Sequence, residues 1–223
     1  LDGDDEFAPE AIESWCSTLE RTGSPFASSA YVRLREQADG SYSSGRVQPW
    51  VSAATDPSID GCTLAERPTA CGNIVVWSKM YSTNFWQDGA FAFPGGAYED
   101  QLISQRLYVQ APCFDTIAKP LVRWRLRPGS ITASKDQLQV LLDYLFALRA
   151  GLEVLLSDHQ YQAVCYRIRL IRSIDLPPLE VIAQGHALDD YRQALLGFQD
   201  WLSDLPGADE NPRDPAITAG LAW

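Results

Sequence analysis

Two groups of side chains in this sequence have the types and spacing to do chemistry, and they point to different ligands. The first is arginine. Arg123, Arg125 and Arg127 alternate with Val122, Trp124 and Leu126, and Arg167 and Arg169 alternate with Tyr166, Ile168 and Leu170. On extended strands such alternation puts the guanidinium groups on one face and the apolar side chains on the other. If the two strands are neighbours, five guanidinium groups share one sheet face, able to take phosphate, carboxylate or an acidic protein surface by bidentate contacts. Acidic segments of the same chain could equally cover that face. The local charge supports the grouping: between Lys119 and Arg172 nine Lys/Arg stand against four Asp/Glu, a net +5, inside a chain of net charge −11.

The second group is aromatic. From Tyr81 to Tyr98 the chain reads YSTNFWQDGAFAFPGGAY, which gathers Tyr81, Phe85, Trp86, Phe91, Phe93 and Tyr98 with Asn84, Gln87 and Asp88. Aromatic faces stack on sugars, bases or proline while a few polar groups fix orientation. The alternative is that these rings seal one end of a sheet. Carboxylate catalysis of the glycosidase kind draws its two acids from distant positions. Asp88, Glu99 and Asp100 are the acids beside the aromatic stretch; as solvated loop charges they would do no chemistry.

Other catalytic signatures are missing. The sequence has no nucleophile-elbow, P-loop, zinc-protease or dinucleotide-glycine motif. Of two histidines, His159 follows Asp158 after a helix whose dipole it complements. His186 lies near Asp189 and Asp190, a spacing compatible with a weak metal or acid–base site. Five cysteines, Cys16, Cys62, Cys71, Cys113 and Cys165, lack any C-x-x-C pair. Cys62 and Cys71 could close a small loop in an exported protein, or be buried thiols. No catalytic residue, metal or cofactor is assigned on this basis.

The elements that would position these groups are organised around Ser134 to Ser157. Ser134 and Gln137 make a capping box. Leu138, Leu141, Leu142, Leu145, Leu148, Leu152, Leu155 and Leu156 then repeat at spacings of three and four. Asp143, Arg149 and Glu153 exclude a membrane span, so this is one long buried helix. Ahead of it, Asp2, Asp4, Asp5 and Glu6 form an acidic lead-in, and Pro9 to Gly23 reads as a short amphipathic helix docking by Trp15. Tyr31 to Glu36 and Val47 to Val51 suit a hairpin, and Ile74 to Trp77 and Leu102 to Gln110 suit strands.

The expected fold is α+β. A β-rich half (1–120) carries a short N-terminal helix and the aromatic loop. A β-α-β-β-α region (121–205) follows, with strands at Leu121 to Arg127, Tyr161 to Ile171 and Leu179 to Ala183. An acidic, proline-rich linker and apolar tail (206–223) close the chain. The last helix sets Leu188, Tyr191, Leu195, Phe198, Leu202 and Leu205 in a narrow seam, so Leu195, Phe198, Leu202 and the terminal Trp223 are candidates for docking on a partner.

These patterns favour a non-enzymatic structural or assembly subunit, such as a virion component, binding protein subunits of its own or another kind through complementary acidic and arginine-rich surfaces. A protein acting on carbohydrate through Tyr81 to Tyr98 is the alternative, and anion or nucleic-acid binding on the arginine face is a third. The acidic balance, with a pI near 4.6, argues against general nucleic-acid or anionic-membrane affinity. A cytoplasmic or intra-particle location is expected. The chain begins at Leu1 rather than methionine, so a preceding piece is also expected.

Overall fold

Two long parallel strands form the spine of the molecule: β2 (Phe26–Glu36) and β6 (Phe114–Leu126), paired from Ala27 opposite Asp115 to Arg35 opposite Leu126 with register shifts on either side of Ala30. The computed structural model describes residues 5–37, 39–126, 138–185 and 189–208. Short antiparallel strands extend the spine. β1 (Glu6–Phe7) and β4 (Ile59–Cys62) pair with β6, while β3 (Tyr42–Ser44) and β5 (Lys79–Tyr81) pair with β2. The sheet is therefore mixed, and the fold is α+β, as the sequence indicates.

Helix α1 (Ala11–Thr22) buries Ala11 and Trp15 and ends where Gly23, at φ 71°, donates its N–H to the Leu19 carbonyl. A left-handed end is what glycine permits at no steric cost. Behind it, the fully buried Asp115 accepts hydrogen bonds from Thr22, Ser24 and the backbone N–H of Gly61, so this carboxylate is a structural tie between α1, β4 and β6. Helices α2 (Pro49–Thr55), α3 (Thr83–Asp88) and α4 (Asp100–Gln110) also lie in this half. The hairpin partner of β2 is β3, because Pro49 starts a helix where the second strand was expected. Leu102 to Gln110 is helix, and Val76–Ser78 is a 3-10 turn.

The second half is helical. α5 (Leu138–Ser157), α6 (Tyr161–Leu170), a π-helical turn (Ile171–Asp175), α7 (Leu176–Gly185) and α8 (Asp189–Ser203) follow β6. Both strands expected between the long helix and the last one are thus helices. The buried residues Ala163, Val164, Arg167, Ile168 and Ile171 recur at three and four, so packing selects the helical period over the alternation at Tyr166 to Leu170. Pro177 and Pro178 follow directly on the π-helical turn, where the helical backbone runs on through Leu176, so the ladder bonds that their missing N–H groups would make are given up at that irregularity. α5 buries Leu141, Leu145, Leu148, Leu152 and Leu155 as expected. The proposed Ser134 cap lies outside the described residues.

The core runs continuously from Trp15 through Phe26 and Phe114 to Leu152, Tyr191 and Leu202. Cys62 and Cys71 are buried free thiols, not a disulfide, and burial pushes them up to about 11 and about 12. Among the described residues no helix is long and apolar enough to cross a membrane.

Candidate active site

The arginine array does not assemble. Arg167 and Arg169 lie on α6 instead of a strand beside β6, so no shared sheet face exists. Arg123 and Arg125 are paired to Glu6 of β1, and the Arg125 guanidinium also lies over the Tyr42 ring. Arg169 lies over Tyr166, and Arg167 is buried against Asp175. Arg127 is outside the described residues. The seam of the last helix is likewise spent at home, since Leu195, Phe198 and Leu202 are buried in the core. Trp223 and His186 lie outside the described residues, and His159 is exposed beside Tyr161.

The aromatic stretch splits in two. Tyr81, Phe85, Trp86, Phe91 and Phe93 form one cluster, with Trp86 touching Tyr81 at 5.1 Å, Phe91 at 5.4 Å and Phe93 at 6.0 Å between centroids. Phe85 stacks on core Phe26, so much of this cluster closes the sheet end. Gly89 has no alternative there: a Cβ would come 2.2 Å from the Phe91 ring. Asp88 is exposed at the end of α3. Tyr98 stands apart, stacked on Tyr144 of α5 at 4.2 Å.

Directly after Tyr98 the chain presents Glu99 and Asp100, both half-buried, at the N-terminus of α4, where the helix dipole favours negative charge. The Asp100 carboxylate accepts a hydrogen bond from the backbone N–H of Val76 at 3.3 Å. Its orientation is therefore tied to the segment from Asn73 to Ser78, which side chains hold along its length. The carbonyls of Asn73 and Val75 take the Lys79 ammonium, that of Ile74 takes the Ser104 hydroxyl, and that of Val76 takes the Tyr81 hydroxyl. The Asn73 amide reaches Ser28, Ser29 and Ser78 at 3.0–3.1 Å. Lys79 is 6% exposed, and burial pulls its ammonium down to about 7, with the Asp100 carboxylate acting in the opposite sense.

The same segment holds up an aromatic platform. Trp77 meets Tyr31 edge-on at 4.8 Å and Trp124 at 5.8 Å, and the Arg33 guanidinium lies 5.0 Å from the Trp124 ring and 5.7 Å from Trp50. Trp77 and Trp124 are both half-buried. On the far side of Trp124, the Arg125 N–H donates to Asp5 at 2.9 Å. Trp77 of the 3-10 turn, Trp124 of β6, the buried Lys79 of β5 and the hydrogen-bonded Asp100 of α4 are thus linked through one segment. Such a site can stack a sugar ring and take a proton from a hydroxyl. Among the described residues no group of three or more His, Cys, Asp or Glu could hold a metal ion.

Sequence reasoning weighed Glu99 and Asp100 but passed over Trp77, Trp124 and Lys79. One signal was available. The chain has only three lysines against fifteen arginines, so a lysine within an apolar run was already an exception.

No protein-family model matches the chain, and no curated protein sequence matches it. Solved structures do. TarS 1–349 from S. aureus in complex with UDP-GlcNAc superposes with a TM-score of 0.67 at 16% identity, over 91% of this chain and 55% of that one. Its complex with UDP gives 0.65 at 16% identity, over 92% and 55%. A third TarS 1–349 structure gives 0.54 at 17% identity, over 91% and 57%. The chain thus spans a little over half the length of the structures it resembles. These likenesses overturn the expectation of a non-enzymatic assembly or virion subunit: the chain shares its fold with a protein that binds a sugar nucleotide.

Proposed function

We propose that this chain contributes to a glycosyltransferase that moves a sugar from a UDP-linked donor to a hydroxyl acceptor, with Asp100 as the general base. The observation that carries the reading is the fixed Asp100 carboxylate beside the Trp77–Trp124 platform, in a fold shared with a protein bound to UDP-GlcNAc. The chemistry is one displacement. Asp100 takes the proton of the acceptor hydroxyl, the oxygen bonds to the anomeric carbon, and the bond from that carbon to UDP breaks with its electron pair leaving on UDP. The indoles of Trp77 and Trp124 offer stacking faces for a sugar. The hydrogen bond from Val76 aims the carboxylate.

The test is Asp100→Asn, which keeps the shape and the Val76 contact and removes the base. UDP release from UDP-GlcNAc with a sugar acceptor should fall by at least about 10²-fold. Binding of UDP-GlcNAc, read by tryptophan fluorescence, should stay within a factor of about two, because the lost interaction is made in the transition state. A wild-type protein that neither binds nor turns over any UDP-sugar would overturn the proposal. Full turnover by Asp100→Asn would remove Asp100 from the role.

A further inference from the structure

We propose that Tyr144, Asp175 and Arg167 form a positioning device that grips the Glu99–Asp100 turn from both sides; the proposal rests on the reading of Asp100 as the base. Tyr98, immediately before the turn, has φ 64°, a left-handed conformation that a bulky side chain adopts only when its surroundings impose it. Its surroundings are the Tyr144 ring, stacked on it at 4.2 Å and 29°. The Tyr144 hydroxyl in turn donates to one oxygen of Asp175 at 2.5 Å. Arg167 donates to the other oxygen of Asp175 at 3.3 Å and to the side-chain oxygen of Gln101 at 2.9 Å. Gln101 follows Asp100 in the first turn of α4. One buried carboxylate therefore connects to the residue before the pair and to the residue after it.

The arrangement has no evident stabilising purpose. Arg167, Asp175 and Gln101 are 5%, 8% and 2% exposed, within leucine-rich helices. A buried ion pair is often matched or bettered for stability by apolar residues of similar volume. Asp175 also ends the π-helical turn Ile171–Asp175, a departure from α-helical spacing of the kind that proteins keep at functional sites. Burial and the Asp175 carboxylate hold the Tyr144 hydroxyl protonated well above its ordinary range, so it remains a donor throughout neutral pH.

Two variants test this beside wild type and Asp100→Asn. Tyr144→Leu removes the ring under Tyr98. Tyr98→Gly removes the other ring and accepts φ 64° without strain, so it should fold at least as well as wild type. A misplaced base costs turnover more than affinity. Each variant should lower kcat by roughly 10- to 100-fold while KM for UDP-GlcNAc moves less than about threefold. Tyr144→Phe, which keeps the ring and loses only the donor to Asp175, should fall between wild type and Tyr144→Leu; a Phe variant with wild-type kcat would remove Asp175 and Arg167 from the device and leave only the ring stack. Wild-type kcat in a folded Tyr98→Gly or Tyr144→Leu protein, with Asp100→Asn inactive, would overturn this inference and leave the proposed base standing. No turnover by wild type would bring down both.

Discussion

From Asn73 to Ser78 nearly every backbone carbonyl is taken by a side chain, whereas the described helices from Leu138 to Ser203 bury mainly leucine against leucine around a polar island at Arg167 and Asp175. The first region has no regular ladder of its own, so Lys79, Ser104, Tyr81 and Ser29 supply the partners that a helix or sheet would provide. The second meets its backbone needs internally and can be apolar. Hydrogen bonds are directional and dispersion is not, so the first region can hold one carboxylate in one orientation, while the second mainly supplies stability and a rigid backing.

The contrast breaks most visibly on two substitutions of similar cost. Asn73→Ala deletes an amide donating to Ser28, Ser29 and Ser78 in a dry site and should destabilise by about 4 kcal/mol. Leu152→Ala, at a fully buried position of α5, should cost about the same through its cavity. Urea denaturation would give both numbers. Turnover per folded molecule should separate them, falling at least about tenfold in Asn73→Ala because the Val76 contact to Asp100 loosens. In Leu152→Ala it should stay within about twofold. Equal activities would mean that the polar staples orient nothing.

Lys79 sharpens the same contrast through pH. Its folded value is about 7 and its ordinary value 10.5. Between these the unfolded chain holds a proton that the folded protein lacks, so stability rises with pH from about 7 toward 10.5 and is flat with respect to this group below 7. From pH 7 to 9 the gain is about 2 kcal/mol, somewhat under two full pH units for one proton because the folded lysine is still half protonated at pH 7. Lys79→Met should abolish that slope. An unchanged slope in urea midpoints would show that another group carries it.

The sequence made some of this visible and concealed the rest for physical reasons. Trp15, Gly23 and the leucines from Leu138 onward were legible because one helix face and one left-handed cap are local facts. Tyr161 to Leu170 was not, because β-branched and aromatic residues alternating over five positions satisfy a strand as well as a helix. Only the burial of Ala163, Val164 and Arg167 together decides it. Arg167 looked like a surface charge because its partner Asp175 is brought inward by a π-turn whose one sequence mark is the Pro177–Pro178 pair just after it. Asp100 looked like a loop charge for a similar reason: what fixes it is the amide of Val76, 24 residues away.

At the helical surface the effects should become small. Arg149 pairs with Glu153 at 2.8 Å, one turn on, and its guanidinium lies 4.8 Å from the Trp201 ring of α8. Both Arg149 and Glu153 side chains are 51% exposed, so water and salt compete with the ion pair, which is worth about 0.5 kcal/mol or less. The stacking on Trp201 adds about as much and is less sensitive to salt, because it also buries the flat face of the guanidinium. Arg149→Ala should therefore lose no more than about 1 kcal/mol, with kcat unchanged. Arg149→Lys separates the two parts. It keeps the charge beside Glu153 and loses the planar stack, so in about 1 M salt, where the ion pair is screened, it should be no more stable than Arg149→Ala. A lysine variant as stable as wild type in that salt would show that stacking contributes nothing and that α5 and α8 are joined by their apolar seam alone.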